Sequence, residues 1–184
     1  AINHGQSSDT SMGITPLEGL MMGTRSGSLD PSLISFISQA ENISQDAALD
    51  VLNKQSGLLG VSELSNDCRT LEEAMLSGDE RAKLSLDIFA SRTAKYLAST
   101  ATTLDNIDHL VFTGGIGENS VYLREQICQR LKAFGIKLDQ TKNQQAPRGE
   151  ISNLTNEGCQ TQIWVIPTNE ELMIALDTIS LIQK

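Results

Sequence analysis

Apolar positions along this chain recur at two intervals, and the alternation between them outlines a fold before any single residue is considered. Helical spacing appears in Leu33, Ile34, Ile37 and Ala40, in residues 44–53, in Ala82, Leu86, Phe89, Thr93 and Leu97, in Leu123, Ile127, Leu131 and Phe134, and in Leu172, Ala175, Ile179 and Ile182. Residues 110–113 and 162–166 are instead short apolar runs, as expected of parallel strands covered on both faces. Start signals agree with this outline. Asp30-Pro31, Ser44 and Asp79 stand where helix caps belong, and Thr70 with Glu73 has capping-box spacing and opens a short helix to Ser77. Thr168 with Glu171 repeats that spacing before the last helix. Gly57 and Gly135 are the expected stops of the helices opened at Ser44 and Ser120.

Two strand–turn–helix units in succession argue an α/β domain with a partly parallel sheet. Residues 1–12 read as a hairpin edge around the turn at Asn3 to Gly5, and residues 15–27 as an irregular loop carrying Arg25. Residues 140–158 are polar and poor in periodic apolar positions, so a surface excursion is expected there. The opening residues Ala1-Ile2-Asn3-His4-Gly5-Gln6 read as the end of one strand and a turn, the pattern expected of a fragment.

Composition narrows the function classes. At 184 residues the chain suits one domain with a substantial core. A net charge of -9 with scattered carboxylates argues against nucleic acid and anionic lipid as partners. Cys68, Cys128 and Cys159 are odd in number and widely spaced, which suggests neither a disulfide framework nor a zinc site and fits a cytoplasmic setting. No apolar run approaches the roughly 20 residues that span a bilayer. His4 and His109 lack a nucleophile in a recognised setting, so no catalytic triad is expected.

The chemistry concentrates where elements end. The run His109-Leu-Val-Phe-Thr-Gly-Gly-Ile-Gly-Glu-Asn119 breaks a strand into glycines before a helix, which brings backbone N–H groups close to a phosphate or the polar edge of a nucleoside. Its spacing matches neither the dinucleotide fingerprint nor the phosphate loop, so a tight turn without ligand is an equal reading. Arg25, between glycines, suits either an anion or an ion pair with a nearby carboxylate. Asp67-Cys68-Arg69 either clamps a nucleotide or caps the helix that follows. Glu170, beside the capping Glu171, has the chemistry of a magnesium ligand.

Taken together, these stretches resemble the acetate kinase family. The resemblance rests on residues 9–31, Ser56-Gly-Leu-Leu-Gly60, Asn66-Asp-Cys-Arg69, Val111-Phe-Thr-Gly-Gly-Ile-Gly-Glu-Asn119 and Val165-Ile-Pro-Thr-Asn-Glu-Glu-Leu172, and it runs the length of the chain. It implies a ribonuclease H-like, actin-like ATPase fold, with residues 1–184 as the C-terminal nucleotide-binding domain of a two-domain kinase. It implies reversible transfer of the ATP γ-phosphoryl group to acetate with Mg2+ or Mn2+, giving acetyl phosphate and ADP. Arg25 matches the transition-state arginine. Asp67, Cys68 and Arg69 match one ATP-contacting segment, Gly115, Ile116, Gly117, Glu118 and Asn119 match the adenosine loop, and Glu170 matches the metal-linked glutamate. The resemblance also implies a homodimer through this domain. It assigns the catalytic aspartate, the substrate arginine and the phosphate loop to a preceding segment absent from this sequence, so the chain alone is expected to lack turnover. Propionate kinase is the near neighbour, and a non-catalytic dimerisation or nucleotide-binding module is the alternative class.

Overall fold

The computed structural model describes residues 1–183, and the helices fall largely where the apolar spacing puts them. In chain order the elements are β1 (Ile2–Asn3), β2 (Gln6–Ser7), α1 (Ser32–Ala40), α2 (Gln45–Lys54), α3 (Gly57–Ser62), α4 (Cys68–Leu76) and α5 (Glu80–Thr100). They continue as β3 (His109–Phe112), α6 (Gly114–Asn119), α7 (Val121–Arg130), α8 (Gln140–Gln145), β4 (Ser152–Asn153), β5 (Gln162–Val165) and α9 (Glu170–Ile182).

A three-stranded sheet in the order β3-β5-β4 organises the site. β3 and β5 are parallel, with His109 opposite Gln162 and Phe112 opposite Val165, while β4 runs antiparallel on the other side of β5. Leu110, Phe112, Ile163 and Val165 turn one face of this sheet into the core. The sheet is therefore mixed, and its two parallel members end side by side, where α/β folds present ligand sites. The hairpin expected at the amino end forms as a separate pair, β1 against β2, with His4 and Gly5 both at positive φ in its turn.

α5 is the central helix. Asp79 Oδ1 accepts from the Arg81 and Ala82 amides and starts it, and Ala82, Leu86, Phe89, Ala90 and Ala94 are buried against α3, α4 and α7. Ser44 caps α2 through the Ala47 amide, as its position implied.

Several boundaries depart from the pattern for local reasons. Gly57 opens α3 rather than closing α2: at φ +63° it brings the Leu58 amide 2.9 Å from the Met22 carbonyl oxygen, a crossing that a Cβ would block. The short helix expected at Thr70 begins at Cys68, because Asp67 Oδ1 takes the Thr70 amide at 3.0 Å. Asn169, not Thr168, caps the last helix by accepting from the Leu172 amide. The segment expected to be an open glycine loop after β3 winds into α6, and Ser120 then caps α7. α7 ends at Arg130, and Leu131 and Phe134 belong to a turn closed by Gly135 at φ +76°. The excursion at 140–158 is partly core: α8 buries Asn143, and Leu154, which follows β4 and donates its amide to the Ile163 carbonyl of β5, is fully buried.

Candidate functional site

Two segments distant in sequence meet in a cleft of about 330 Å³. One wall is Asn66, Asp67, Cys68, Arg69 and Glu72 at the start of α4, and the other is Gly115, Ile116 and Asn119 along α6 with Ser120 at the start of α7, and Arg148 at the rim. A Cβ built on Gly115 meets nothing within 4 Å, so this wall opens directly to the cleft. Gly117 is small for a different reason: its Cβ would lie 3.2 Å from the Phe112 carbonyl carbon, so it allows α6 to lie close on the end of β3.

The walls are held by short polar contacts. The Ser120 hydroxyl donates to Glu72 Oε1, joining α7 to α4 across the cleft floor. Glu118 turns away from the cleft: its Oε1 accepts from the Thr168 amide at 2.9 Å and from the Thr168 hydroxyl at 3.1 Å. Those bonds, the Thr168 amide first, hold the Glu118 carboxyl below its ordinary value of 4.5. The Thr168 hydroxyl also receives the Gly114 amide at 3.0 Å and lies 2.8 Å from the Thr113 hydroxyl. The turn that carries Glu170 is thus tied to α6 at the ends of the parallel strands.

Asp67 serves as the cap of α4, and the Thr70 amide is the main reason its carboxyl sits below 3.8. Burial, then the neighbouring Glu72 and Asp67 charges, push the Cys68 thiol up to about 12, so it is neutral at pH 7 and contributes shape rather than nucleophilicity. Arg25 lines an adjoining cleft with Met22, Gly23, Thr24, Asp50, Asn53, Lys54 and Asn66; Asn66 is common to both clefts. Its Nη1 has the Met22 sulfur at 3.7 Å, and among the described residues no carboxylate comes within 4.0 Å of it. The ion-pair reading of Arg25 is therefore not what the chain adopts, and its donors remain available to an anion.

Sequence reasoning thus named residues that the fold gathers unequally. Asp67, Cys68, Arg69, Gly115, Ile116 and Asn119 share one cleft, Arg25 adjoins it, Gly117 and Glu118 support it, and Glu170 stands exposed at the start of α9. It passed over Glu72, Ser120 and Arg148 as lining residues, and Thr168 as a tether. The available signal for Thr168 was misassigned to a helix cap.

The residues fit the two groups that the sequence pattern implied to different degrees. The open Gly115 wall and the flanking polar side chains suit a nucleoside. A metal has less: among the described residues no group of three His, Cys, Asp or Glu side chains converges, and Glu170 is a single exposed carboxylate, which suits only an ion that keeps waters and phosphate oxygens. No helix among the described residues is long and apolar enough to cross a membrane.

A small mixed sheet whose strand β3 leads directly into the wall of a polar cleft places the chain in the α/β class. Residues 1–176 match the Acetokinase family, and the chain belongs to that family. It is 50% identical over 183 residues to an acetate kinase of Treponema denticola, a match that takes in all of this chain and 46% of that protein. Among solved structures, the Porphyromonas gingivalis acetate kinase superposes with a TM-score of 0.91 at 40% identity, over 98% of this chain and 45% of that one. A propionate kinase from Francisella tularensis gives 0.89 at 44% identity, over 95% and 44%. The chain spans about half the length of the relatives it matches.

Proposed function

We propose that this chain is the C-terminal, nucleotide-binding domain of an acetate kinase, an actin-like ATPase fold in which ATP and acetate react reversibly to acetyl phosphate and ADP. The observation that carries this reading is the convergence of Asp67, Cys68 and Arg69 with Gly115, Ile116 and Asn119 on one cleft beside Arg25. Bound ATP with magnesium supplies the transferable γ-phosphoryl group and neutralises part of its charge. The α6 wall receives the adenosine, since the space beside Gly115 is open. Arg69 and Arg148 give the rim positive charge in an otherwise acidic protein. Arg25, half-buried and without a carboxylate partner among the described residues, directs its planar donors at phosphoryl oxygens as charge develops in the transition state. Glu170 would hold the metal, and Glu118, through Thr168, sets the turn that carries it.

The remaining half of the family fold supplies the acyl site and the phosphate loop, and we propose that it also covers α9, whose apolar side chains are exposed. The chain alone therefore binds nucleotide weakly and turns nothing over. Titration with ATP and magnesium, followed at the amides of residues 115–119 by NMR, tests the cleft: selective, saturable shifts there and at residues 67–69 are expected, and none at several millimolar would overturn the assignment. Coupled assay of the chain with and without its other half tests the reaction. Propionate kinase is the second reading, favoured by the 44% identity to the Francisella structure. One methylene is worth about 1–3 kcal/mol, so the ratio of kcat/KM for acetate and propionate in the complete enzyme decides between them.

A further inference from the structure

α6 is six residues long and buries none of them, too short to persist by its own hydrogen bonds, yet it forms the cleft wall. Four successive carbonyls toward its carboxyl end, those of residues 115–118, are nevertheless engaged. The Asn119 side chain takes the Gly115 carbonyl at 2.9 Å, and the Ser120 amide takes that of Ile116 at 2.9 Å. Those of Gly117 and Glu118 are taken by a single group: Arg124 Nη1 donates to the Gly117 carbonyl at 2.9 Å and to that of Glu118 at 2.8 Å.

Arg124 is only 2% exposed, and among the described residues it has no carboxylate within 4.0 Å. A buried guanidinium with no carboxylate in contact, Glu72 being its nearest charge of opposite sign, persists only where its donors are spent on well-placed acceptors. The rest of the fork is spent on α8. Nε donates to Asn143 Oδ1 at 2.7 Å and Nη2 to the Asn143 carbonyl at 3.3 Å, while Asn143 Nδ2 donates onward to the Val121 carbonyl at 3.0 Å. Asn143 is 1% exposed, and Arg148, a few residues along the same segment, reaches the rim of the cleft. One planar group therefore spans the underside of the site from the glycine wall to the segment bearing Arg148. Its charge also lies at the carboxyl end of α6, where the carbonyl dipoles favour a cation.

We propose that Arg124 is a positioning residue for nucleotide binding: it fixes α6 in the orientation that presents Gly115, Ile116 and Asn119 to the cleft, and registers α8 and Arg148 against them. The proposal rests on the reading of this cleft as the adenosine site. Lysine keeps the charge but not the fork, so Arg124→Lys retains one set of contacts and releases the other.

The test uses the full chain and three readouts: thermal unfolding, amide hydrogen exchange resolved by residue, and ATP affinity with magnesium. In the wild-type chain the Asn119 and Ser120 amides are expected to exchange with α7 as one unit; exchange at the rate of an unstructured peptide would overturn the proposal without any variant. In R124K, exchange across residues 115–120 should accelerate about tenfold more than in α5, and ATP affinity should fall about tenfold. Leu86→Ala, remote from the cleft, is the control and should lower the melting temperature without that selective change. Equal acceleration everywhere in R124K, or ATP affinity within twofold of wild type, would assign Arg124 a purely structural role. Loss of ATP binding in the wild-type chain itself would instead remove the adenosine reading, and with it the role in nucleotide binding.

Discussion

α5 and α9 carry similar apolar periodicity and meet opposite fates. In α5 the residues at helical spacing, Ala82, Leu86, Phe89, Ala90 and Ala94, are buried by three neighbouring helices. In α9 no residue is buried; Ile174 is 66% exposed and Leu181 71%. A strip of apolar residues records that a helix has a face to cover, and it carries no information about what covers it. The two helices also differ in kind: polar residues confine the apolar face of α5, whereas in α9 apolar residues occur nearly all round, a composition typical of a helix enclosed on several sides.

The largest expected effect is at Leu86, which is fully buried where α5 meets the core. Leu86→Ala should cost about 2–5 kcal/mol in urea unfolding. The counterpart in α9, Leu176→Ala, removes the same atoms from a side chain 48% exposed and should change stability by no more than about 0.5 kcal/mol. Equal losses would erase the distinction. The caps sharpen it: Asp79→Ala, which frees the Arg81 and Ala82 amides at the start of α5, should cost about 1 kcal/mol globally. Asn169→Ala should loosen only the first turn of α9, visible as faster amide exchange at Leu172 with an unchanged unfolding midpoint.

A smaller, pH-dependent effect links the two regions. Because the Glu118 carboxyl is held below 4.5 in the folded chain, its bond to the turn before α9 is fully formed above that value and is lost as pH falls through the lowered pKa. Exchange at the Thr168 amide should rise through that acid range, and Glu118→Gln should flatten the rise. Smallest of all is the response of Cys68 to alkylation: a thiol raised to about 12 should react with iodoacetamide at pH 8 much more slowly than free cysteine, and urea should restore the ordinary rate.

The candidate site was partly legible before the fold. Asp67 as a helix cap follows from local chemistry, since a cap needs only a side-chain oxygen and the next turn of backbone, whereas the glycine run after β3, expected as an open loop, winds into α6. Arg124 left a fainter signal. It lies beside Leu123 and Ile127 on the buried stripe of α7, and a charge on such a stripe calls for a partner. That partner, Asn143, belongs to the segment read as solvent-exposed excursion, so the pairing was out of reach. Thr168 was misread because Ser/Thr-x-x-Glu spacing recurs wherever polar residues precede a helix, and only the packing of α6 against it gives its hydroxyl the Gly114 amide to accept from and the Glu118 carboxylate to donate to.

Taken alone, the sequence determined the helical stripes, the two apolar strands, most of the caps and the family resemblance, because each depends on residues within a few positions of one another or on motif identity. Tertiary structure alone decided that Asp67, Cys68 and Arg69 face the α6 wall, that Glu118 serves a tether rather than the cleft, that Arg124 joins two elements from below, and that α9 stands uncovered. These outcomes turn on distances between segments far apart in the chain, and a side chain's partner is set by whichever acceptor the packed backbone brings within about 3 Å.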